Sequence, residues 1–259
     1  MKKVLILGSD SFLGNALLNN LNKKKIFYSI RGTSRRTKRG NKLFFDFRKK
    51  NTIDFGKYDV VIVVAAITNI AFCEKNKNLC ESVNYKLTVN IIKKILKKNC
   101  FVLFISSNAV FDGSKKFYSI NDKKKPTTVY GRSKALVEDW IISKNFRNCS
   151  ILRLTKVLSK NYRSIYKKKW ENEVRNKNKF LINHNVYLSP ITIDQAVKSV
   201  RRCILLNKNG LFHKGGNKEV SYYDFAKKIC ANNRNLFSKI KVIKKKRIKV
   251  YNSLKTFLE

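Results

Sequence analysis

One stretch of the sequence combines residues that could move a proton. Tyr130 and Lys134 are four positions apart, so their side chains would share one face of a helix. A nearby ammonium lowers the pKa of a phenol, which would let Tyr130 exchange a proton with a carbonyl or alcohol near neutral pH. Ser107 follows the apolar run 101–105 and would place a hydroxyl at a strand end. These side chains predict a site for acid–base chemistry on a carbonyl or hydroxyl group.

A second motif could bind phosphate. The apolar run 4–7 leads into a turn that contains Gly8, Ser11 and Gly14. In such a turn, backbone N–H groups and the helix N-terminus face the pyrophosphate of a dinucleotide. Ser11 stands where a third glycine is usual, and its hydroxyl could itself bind a phosphate oxygen. The alternative is that the two glycines only end a strand and pack a helix. The turn predicts a dinucleotide site made by Gly8, Ser11, Phe12, Leu13 and Gly14.

The residues after the second apolar run indicate which dinucleotide would bind. Arg35 and Arg36 follow this run, and no Asp or Glu lies between Asp10 and Asp46. An acidic residue here would bind the ribose 2′-hydroxyl of NAD, whereas arginine suits the 2′-phosphate of NADP. We therefore predict NADP(H), with NAD(H) left open. The alternative is that the two arginines are further cations in a basic chain.

Short apolar runs alternate with helical patterns through the first 156 residues. Wholly apolar strands that alternate with helices indicate a parallel sheet covered on both faces. We predict an α/β fold with a doubly wound parallel sheet, the NAD(P)-binding Rossmann fold, over residues 1–156. Residues 157–259 would mainly form a small C-terminal substrate-binding lobe, from which a segment near 190–215 returns to the sheet. The predicted strands are 4–7, 26–30, 44–47, 60–64, 101–105 and 150–154, and the predicted helices are 12–21, 87–96 and 133–142.

The charge of the chain is unusual. Its 259 residues include 58 Lys and Arg against 16 Asp and Glu, which gives a formal net charge of +42. The lysines are spread along the chain, without a recognition-helix or RNP-type aromatic pattern, so we favour a surface composition bias over nucleic-acid binding. The charge would still concentrate anionic substrates near the surface.

The remaining composition limits the class of protein. The six cysteines are scattered without a CxxC pair, which predicts free thiols in packing positions. His184 and His213 have no neighbours at metal-ligand spacing, so no metal site is predicted. The first apolar run is too short for a signal peptide, and no stretch approaches the roughly 20 apolar residues of a membrane helix. We expect a cytoplasmic protein without membrane binding, and leave a homodimer open. Trp170 could line a sugar pocket or be packing.

The motifs together resemble the extended short-chain dehydrogenase/reductases, and among them the dTDP-4-dehydrorhamnose reductase branch. The resemblance extends across most of the chain, and both prolines, Pro126 and Pro190, lie where this branch has them. The matching segments are the turn at Gly8, Asp46-Phe47, and residues 64–68, 73–74, 83–84, 106–113, 126–134, 188–194 and 210–213.

The resemblance implies a role for each matching residue. Tyr130 would protonate the sugar oxygen as hydride reaches carbon, and Lys134 would hold the nicotinamide ribose and lower the Tyr130 pKa. Ser107 would hydrogen-bond the carbonyl oxygen. Asn84 would support a proton-relay water behind Lys134, unless it only caps or bridges helices. The cofactor contacts would be Asp46 and Phe47 beside the adenine, unless Asp46 only ends a strand, and Val64, Ala65, Ala66 and Thr68 along the middle.

The chain departs from the branch where the sugar would bind. Asn108 and Ala109 stand in place of an Asp-Tyr pair that contacts the sugar. The predicted substrate contacts are therefore Ser107, Asn108 and Tyr130, with the sugar left open. The leading hypothesis is NADP(H)-dependent reduction of a 4-keto-6-deoxy nucleotide sugar. The alternatives are a nucleotide-sugar epimerase or dehydratase on the same scaffold, and a non-catalytic NAD(P)-binding regulatory protein.

Overall fold

The computed structural model describes residues 2–22, 27–36, 42–49, 52–207, 209–231, 233–243 and 249–258. The strands are β1 (Lys2–Leu7), β2 (Phe27–Ser34), β3 (Lys42–Phe44), β4 (Val60–Val63), β5 (Phe101–Ser107), β6 (Cys149–Leu154), β7 (Val157–Leu158), β8 (Phe180–Asn183), β9 (Val186–Leu188), β10 (Ile191–Thr192), β11 (Gly210–Lys214), β12 (Val220–Ser221), β13 (Ile240–Ile243) and β14 (Val250–Asn252). The helices are α1 (Phe12–Asn22), α2 (Ile70–Lys75), α3 (Lys77–Glu81), α4 (Thr88–Leu96), α5 (Val129–Ser143), α6 (Tyr162–Lys177), α7 (Ile193–Leu206), α8 (Tyr222–Cys230) and α9 (Arg234–Ser238).

Seven strands form one sheet in the order β11-β6-β5-β4-β1-β2-β3, and every neighbouring pair is parallel. The predicted doubly wound α/β fold is therefore confirmed. The chain moves outward from β1 to β2 and β3 and then crosses back to β4 on the other side of β1. Such a reversal opens a crevice beyond the carboxyl ends of β1 and β4, which is where this architecture binds ligands.

The central strands are apolar throughout because helices cover both faces of the sheet. Val4 and Ile6 of β1 pack in one core cluster, which also contains apolar residues of α1 and α7. Leu5 and Leu7 point to the other face and pack in the cluster that contains residues of α4 and α5. The two faces of a single strand thus belong to two separate cores.

Several predicted boundaries differ from the structure in ways that matter for the site. The second strand continues to Ser34, and of the predicted run 26–30 residue 26 lies outside the described residues. The third strand was predicted at 44–47, and this is wrong: β3 ends at Phe44, which leaves Asp46 and Phe47 in the loop beyond it. β5 extends to Ser107, so this serine is the last residue of a strand.

A further core lies outside the main sheet. Trp170 of α6 is 2% exposed and stacks on Phe180 of β8, with ring centroids 5.1 Å apart. Its neighbours include Phe225 of α8 and Leu236 of α9. Trp170 is therefore packing. Because this core is separate, we propose that a second lobe begins after residue 156. Part of the later chain nevertheless returns to the main sheet, since β11 pairs with β6 there.

The structure also bears on the expectations from composition. All six cysteines are buried and free. Among the described residues, no helix is both long and apolar enough to cross a membrane. The same part of the chain contains no group of three or more His, Cys, Asp or Glu side chains that could hold a metal ion.

Candidate active site

The turn after β1 depends on its two glycines. Gly8 has φ of 92°, and a Cβ there would lie 2.6 Å from the Cβ of Ala65, in the loop after β4. A Cβ on Gly14 would lie 2.3 Å from the carbonyl oxygen of Gly8. Only glycine leaves room at these two positions. The turn can therefore bring the N-terminus of α1 close to the ends of β1 and β4.

The Ser11 hydroxyl, which was expected to be available for a phosphate oxygen, has partners within the turn. Its hydroxyl donates to the Gly8 carbonyl oxygen at 2.7 Å and accepts from the Gly14 N–H at 3.1 Å. The hydroxyl therefore closes the turn from within. A phosphate contact by this hydroxyl would have to compete with both bonds.

A cavity of about 540 Å³ opens beyond the turn, at the reversal in strand order. Its lining contains eight of the predicted cofactor residues, including both arginines, and these are Gly8, Ser11, Arg35, Arg36, Asp46, Phe47, Ala65 and Ala66. Sequence reasoning missed the apolar residues on the same wall, which are Phe45, Ile67, Phe72, Leu79 and Val83. Arg35 and Arg36 thus give the cavity a basic lip, and the apolar residues form a wall. This combination fits a dinucleotide, which has phosphates and flat rings.

Seven predicted cofactor residues lie outside this lining, and two of them, Tyr130 and Lys134, belong to the catalytic group described below. The side chains of Leu13 and Val64 are buried in the core beneath the crevice, so only their backbone can face a ligand. Phe12 is 50% exposed and lines a neighbouring depression. Thr68 is exposed on the loop beyond Ile67. Gly14 belongs to the turn itself.

The carboxylates around the basic lip have partners of their own. Arg48 forms two side-chain hydrogen bonds to Asp46, at 3.2 and 2.9 Å, and this contact lowers the pKa of Asp46. Burial acts to raise the pKa of Asp10, but hydrogen bonds from Lys42 and Ser34 outweigh it and lower the pKa. Both groups therefore remain carboxylates at neutral pH, each beside a cation.

The fold brings Ser107 and Tyr130 together. Thr128 caps α5 by accepting the Gly131 N–H at 3.0 Å, so the helix begins at Val129, four residues before its predicted start. A Cβ on Gly131 would lie 2.1 Å from the carbonyl oxygen of Ala109, so the first turn of α5 packs closely on the segment after β5. In this arrangement, the Ser107 hydroxyl lies near the phenol of Tyr130, where it acts to lower the pKa of the phenol.

Lys134 lies on the same face of α5 and is 2% exposed. Its Nζ donates to the Ile105 carbonyl oxygen at 2.8 Å and lies 4.5 Å from the centre of the Phe104 ring and 6.0 Å from that of Tyr130. Burial lowers its pKa to about 8, against the opposing effect of Glu138. At pH 7 the buried side chain is therefore mostly the ammonium.

The expected lowering of the Tyr130 pKa is wrong for this structure. Burial raises it to about 12, which outweighs the lowering by the Ser107 hydrogen bond. The physical reason is that removing a phenolate from water costs more than one neutral hydrogen bond returns. Tyr130 is consequently held in its protonated form, as a proton donor must be before reaction.

Asn84 is buried but serves the backbone. Its Oδ1 accepts from the Ile67 N–H at 2.8 Å, and its Nδ2 donates to the Ile67 carbonyl oxygen at 2.9 Å. It lies in a π-helical turn, Ser82–Leu87, between α3 and α4. The relay role behind Lys134 is not what these contacts show. Asn84 instead fixes the backbone of Ile67, which is one residue of the apolar wall of the cavity.

A buried ionic cluster beneath Lys134 escaped the sequence reasoning. Glu138 is one helical turn beyond Lys134 and accepts hydrogen bonds from Arg153 Nη2 at 2.6 Å and Ser106 Oγ at 2.5 Å. Arg153 also contacts His213 Nε2 at 3.0 Å. The four-residue spacing from Lys134 to Glu138 was the available signal, but its partners come from β5, β6 and β11.

Comparisons with known proteins agree with this geometry. Residues 1–251 match the family described as RmlD substrate binding domain. The chain belongs to this family. That membership confirms the resemblance to sugar-nucleotide reductases and the predicted type of enzyme, an oxidoreductase of the short-chain dehydrogenase/reductase type.

Curated relatives are distant. The chain is 28% identical over 177 residues to a dTDP-4-dehydrorhamnose reductase of Sinorhizobium fredii, which covers 65% of this chain and 59% of that protein. It is 21% identical over 237 residues to methionine adenosyltransferase 2 subunit beta of Bos taurus, which covers 87% of this chain and 70% of that protein. The chain thus spans less than two thirds of the reductase relative.

Solved structures share the fold over nearly the whole chain. A hypothetical dTDP-4-dehydrorhamnose reductase from Sulfolobus tokodaii has a TM-score of 0.79 at 22% identity, with 98% of this chain and 92% of that chain covered. The Bacillus anthracis dTDP-4-dehydrorhamnose reductase in complex with NADP has a TM-score of 0.76 at 18% identity, with 98% and 89% covered. MoeE5 in complex with UDP-glucose and NAD has a TM-score of 0.80 at 16% identity, with 97% and 88% covered.

Proposed function

We propose that the protein catalyses NADP(H)-dependent reduction of the keto group of a 4-keto-6-deoxy nucleotide sugar. The observation that carries this proposal is the convergence of Ser107, Tyr130 and Lys134 at the end of β5 and the start of α5. Ile67 links them to the cofactor cavity, since it lines that cavity and packs in the same cluster as Tyr130.

The cavity fits a dinucleotide because of its glycine turn and its basic lip. Gly8 and Gly14 give the backbone the close approach that a pyrophosphate needs. Arg35 and Arg36 would hold the 2′-phosphate of NADP, and Phe47 would border the adenine. The Bacillus anthracis reductase was solved with NADP and MoeE5 with NAD, which supports NADP(H) and keeps NAD(H) open.

When bound, the nicotinamide would supply the hydride. Ser107 would donate a hydrogen bond to the carbonyl oxygen, keeping its own proton, and so hold the carbonyl against Tyr130. Tyr130 would then give its proton to the same oxygen as negative charge develops there. The Lys134 ammonium, held by Ile105 and close to the phenol ring, would stabilise the phenolate that remains. Asn84 would act only by positioning Ile67.

The test is to incubate the protein with NADPH and a panel of nucleotide-linked keto sugars while following nicotinamide absorbance. One sugar should be reduced, and Tyr130→Phe should lower turnover by several orders of magnitude while cofactor affinity is kept. A matched control is Tyr85→Phe, which removes another hydroxyl, this one from the π-helical turn. Retained activity in Tyr130→Phe would remove the assigned role.

A second candidate is a nucleotide-sugar epimerase or dehydratase. The likeness to a dTDP-glucose 4,6-dehydratase from Streptomyces venezuelae with NAD bound, at a TM-score of 0.80 and 12% identity, favours it. Tightly held NAD⁺ in the purified protein, with product formed and no net consumption of NADPH, would support this candidate over the reductase.

A third candidate is a non-catalytic NAD(P)-binding subunit. The relative from Bos taurus, which its name describes as a subunit of another enzyme, favours it. Cofactor binding without turnover of any nucleotide sugar would support it.

For all three candidates we propose a cytoplasmic location and a nucleotide-sugar ligand. The homodimer stays a prediction, as does the absence of nucleic-acid binding.

A further inference from the structure

The last strand of the chain reaches the segment that follows the catalytic serine. β14 pairs with β9 in a small three-stranded sheet that β12 completes. The Tyr251 N–H donates to the Gly113 carbonyl oxygen at 2.8 Å, and Tyr118 forms a bridge with Leu254. These backbone contacts fix β14 beside the segment that follows Ser107.

Side chains join the two segments at the site itself. Asn108 Nδ2 donates to Asn252 Oδ1 at 3.0 Å, across 144 positions of sequence. The Ser107 hydroxyl donates to Asn108 Oδ1 at 3.3 Å and lies near the Tyr130 phenol. Hydrogen bonds thus connect Ser107, which lies beside Tyr130, through Asn108 to Asn252.

The two amides keep donors for a ligand. A primary amide has two N–H groups, and the contact between the asparagines uses one of the four. Both residues are half-buried, so water reaches their amides only in part. Such fixed, partly dehydrated amide donors are suited to the hydroxyl oxygens of a sugar.

We infer that Asn252 is a specificity residue that, together with Asn108, hydrogen-bonds a hydroxyl of the substrate's sugar beside the reacting carbonyl. The inference rests on the proposed function, because it takes Ser107 and Tyr130 to face the reacting carbon. It adds a sugar contact from the C-terminal strand, which no sequence motif indicates.

The test separates sugar binding from nucleotide binding. Dissociation constants are measured by calorimetry for dTDP-glucose and dTDP, for UDP-glucose and UDP, and for NADPH. Asn252→Asp keeps the size and the acceptor oxygen for Asn108 but removes the donors, and Asn252→Ala removes both. The matched control is Ser253→Ala. Ser253 is the next residue along the chain and is fully buried, and its hydroxyl accepts from the Phe117 N–H and donates to Glu219 Oε1.

For the nucleotide sugar that the parent protein prefers, both Asn252 variants should weaken binding about tenfold, the size expected for one unreplaced hydrogen bond. Binding of the bare nucleotide and of NADPH should stay within twofold, and Ser253→Ala should leave all constants unchanged. Equal weakening of all ligands, no weakening of any, or a parent protein that binds neither nucleotide sugar would overturn the inference.

Turnover distinguishes failure of the inference from failure of the proposed function. A parent protein that binds the sugar through Asn252 but consumes no NADPH with any keto sugar keeps the inference and loses the reductase. A parent protein that reduces a keto sugar, with Asn252→Asp unchanged in KM for that sugar, keeps the reductase and loses the inference.

Discussion

The buried ion pair between Glu138 and Arg153 should make the main domain sensitive to the loss of either partner alone. Glu138 is 0% exposed and Arg153 1%. Arg153 donates to the carboxylate from Nε at 3.0 and 3.1 Å and from Nη2 at 2.6 Å, while Lys124 approaches it to 3.5 Å. Replacing Glu138 by Ala removes every one of these acceptors and leaves the guanidinium buried.

The expected cost follows from that uncompensated charge. His213 remains beside Arg153, but burial and the nearby guanidinium lower its pKa to about 4, so the ring is neutral at pH 7 and brings no negative charge. Removing one partner of a buried pair costs roughly 3–5 kcal/mol. Because whole domains are stable by only about 5–15 kcal/mol, Glu138→Ala should lose a large fraction of the free energy of unfolding.

The assay is urea unfolding followed by circular dichroism at pH 7, with two comparison variants. The double variant Glu138→Leu/Arg153→Met removes both charges and should recover most of the loss, because the desolvation cost of both ions disappears with them. The control Glu171→Ala breaks an exposed i,i+4 pair with Lys167 and should cost less than about 0.5 kcal/mol. A loss below about 1 kcal/mol in Glu138→Ala, or a double variant no more stable than the single one, would refute the reasoning.

Three further outcomes are expected. Because Lys134 has a pKa of about 8, NADPH affinity should fall as pH rises through 8, and Lys134→Met should abolish that dependence in fluorescence titrations; a parent curve that is flat from pH 7 to 9 would contradict this. Burial lowers the pKa of His213 from 6.5 to about 4, so below pH 6.5 the unfolded chain takes up a proton that the folded chain refuses. The free energy of unfolding should therefore fall between pH 6.5 and 4, and His213→Gln should flatten that part of the urea-derived profile; an equally steep variant would count against it. Gly8→Ala should lower the free energy of unfolding by at least about 1 kcal/mol, because its φ is positive and its Cβ would lie 2.6 Å from that of Ala65. The control Gly56→Ala should cost less, because φ is not positive there and the nearest atom, Asp54 Oδ1 at 3.3 Å, belongs to a side chain that can shift; equal melting temperatures would contradict this.

Much of the architecture was readable from local patterns. The runs at 4–7, 60–64 and 101–105 predicted central strands, and the structure has β1, β4 and β5 there. The reason is that a strand covered on both faces must be apolar at every position, a signal that needs no knowledge of its partners. Tyr130 and Lys134 were equally readable, because a helix places positions four apart on one face.

Partners that are distant in sequence could not be read in this way. Asn84 was a candidate for a water relay, yet its amide binds the backbone of Ile67, and only the π-helical turn before α4 orients it there. The contact of Asn108 with Asn252 depends on where the C-terminal strand returns. Neither pairing leaves a periodicity or a spacing in the sequence.

By itself the sequence predicted which residues would carry the chemistry, because a phosphate turn, a Tyr-Lys spacing and a strand-end serine are properties of short segments. The tertiary structure decided their electrostatics. The phenol of Tyr130 has a raised pKa although a lysine lies one turn away, since burial is set by everything packed around the ring. The charge of Lys134 likewise depends on Glu138, whose own carboxylate is held by an arginine from another strand. Spacing along a helix is local, whereas desolvation is a property of the whole fold.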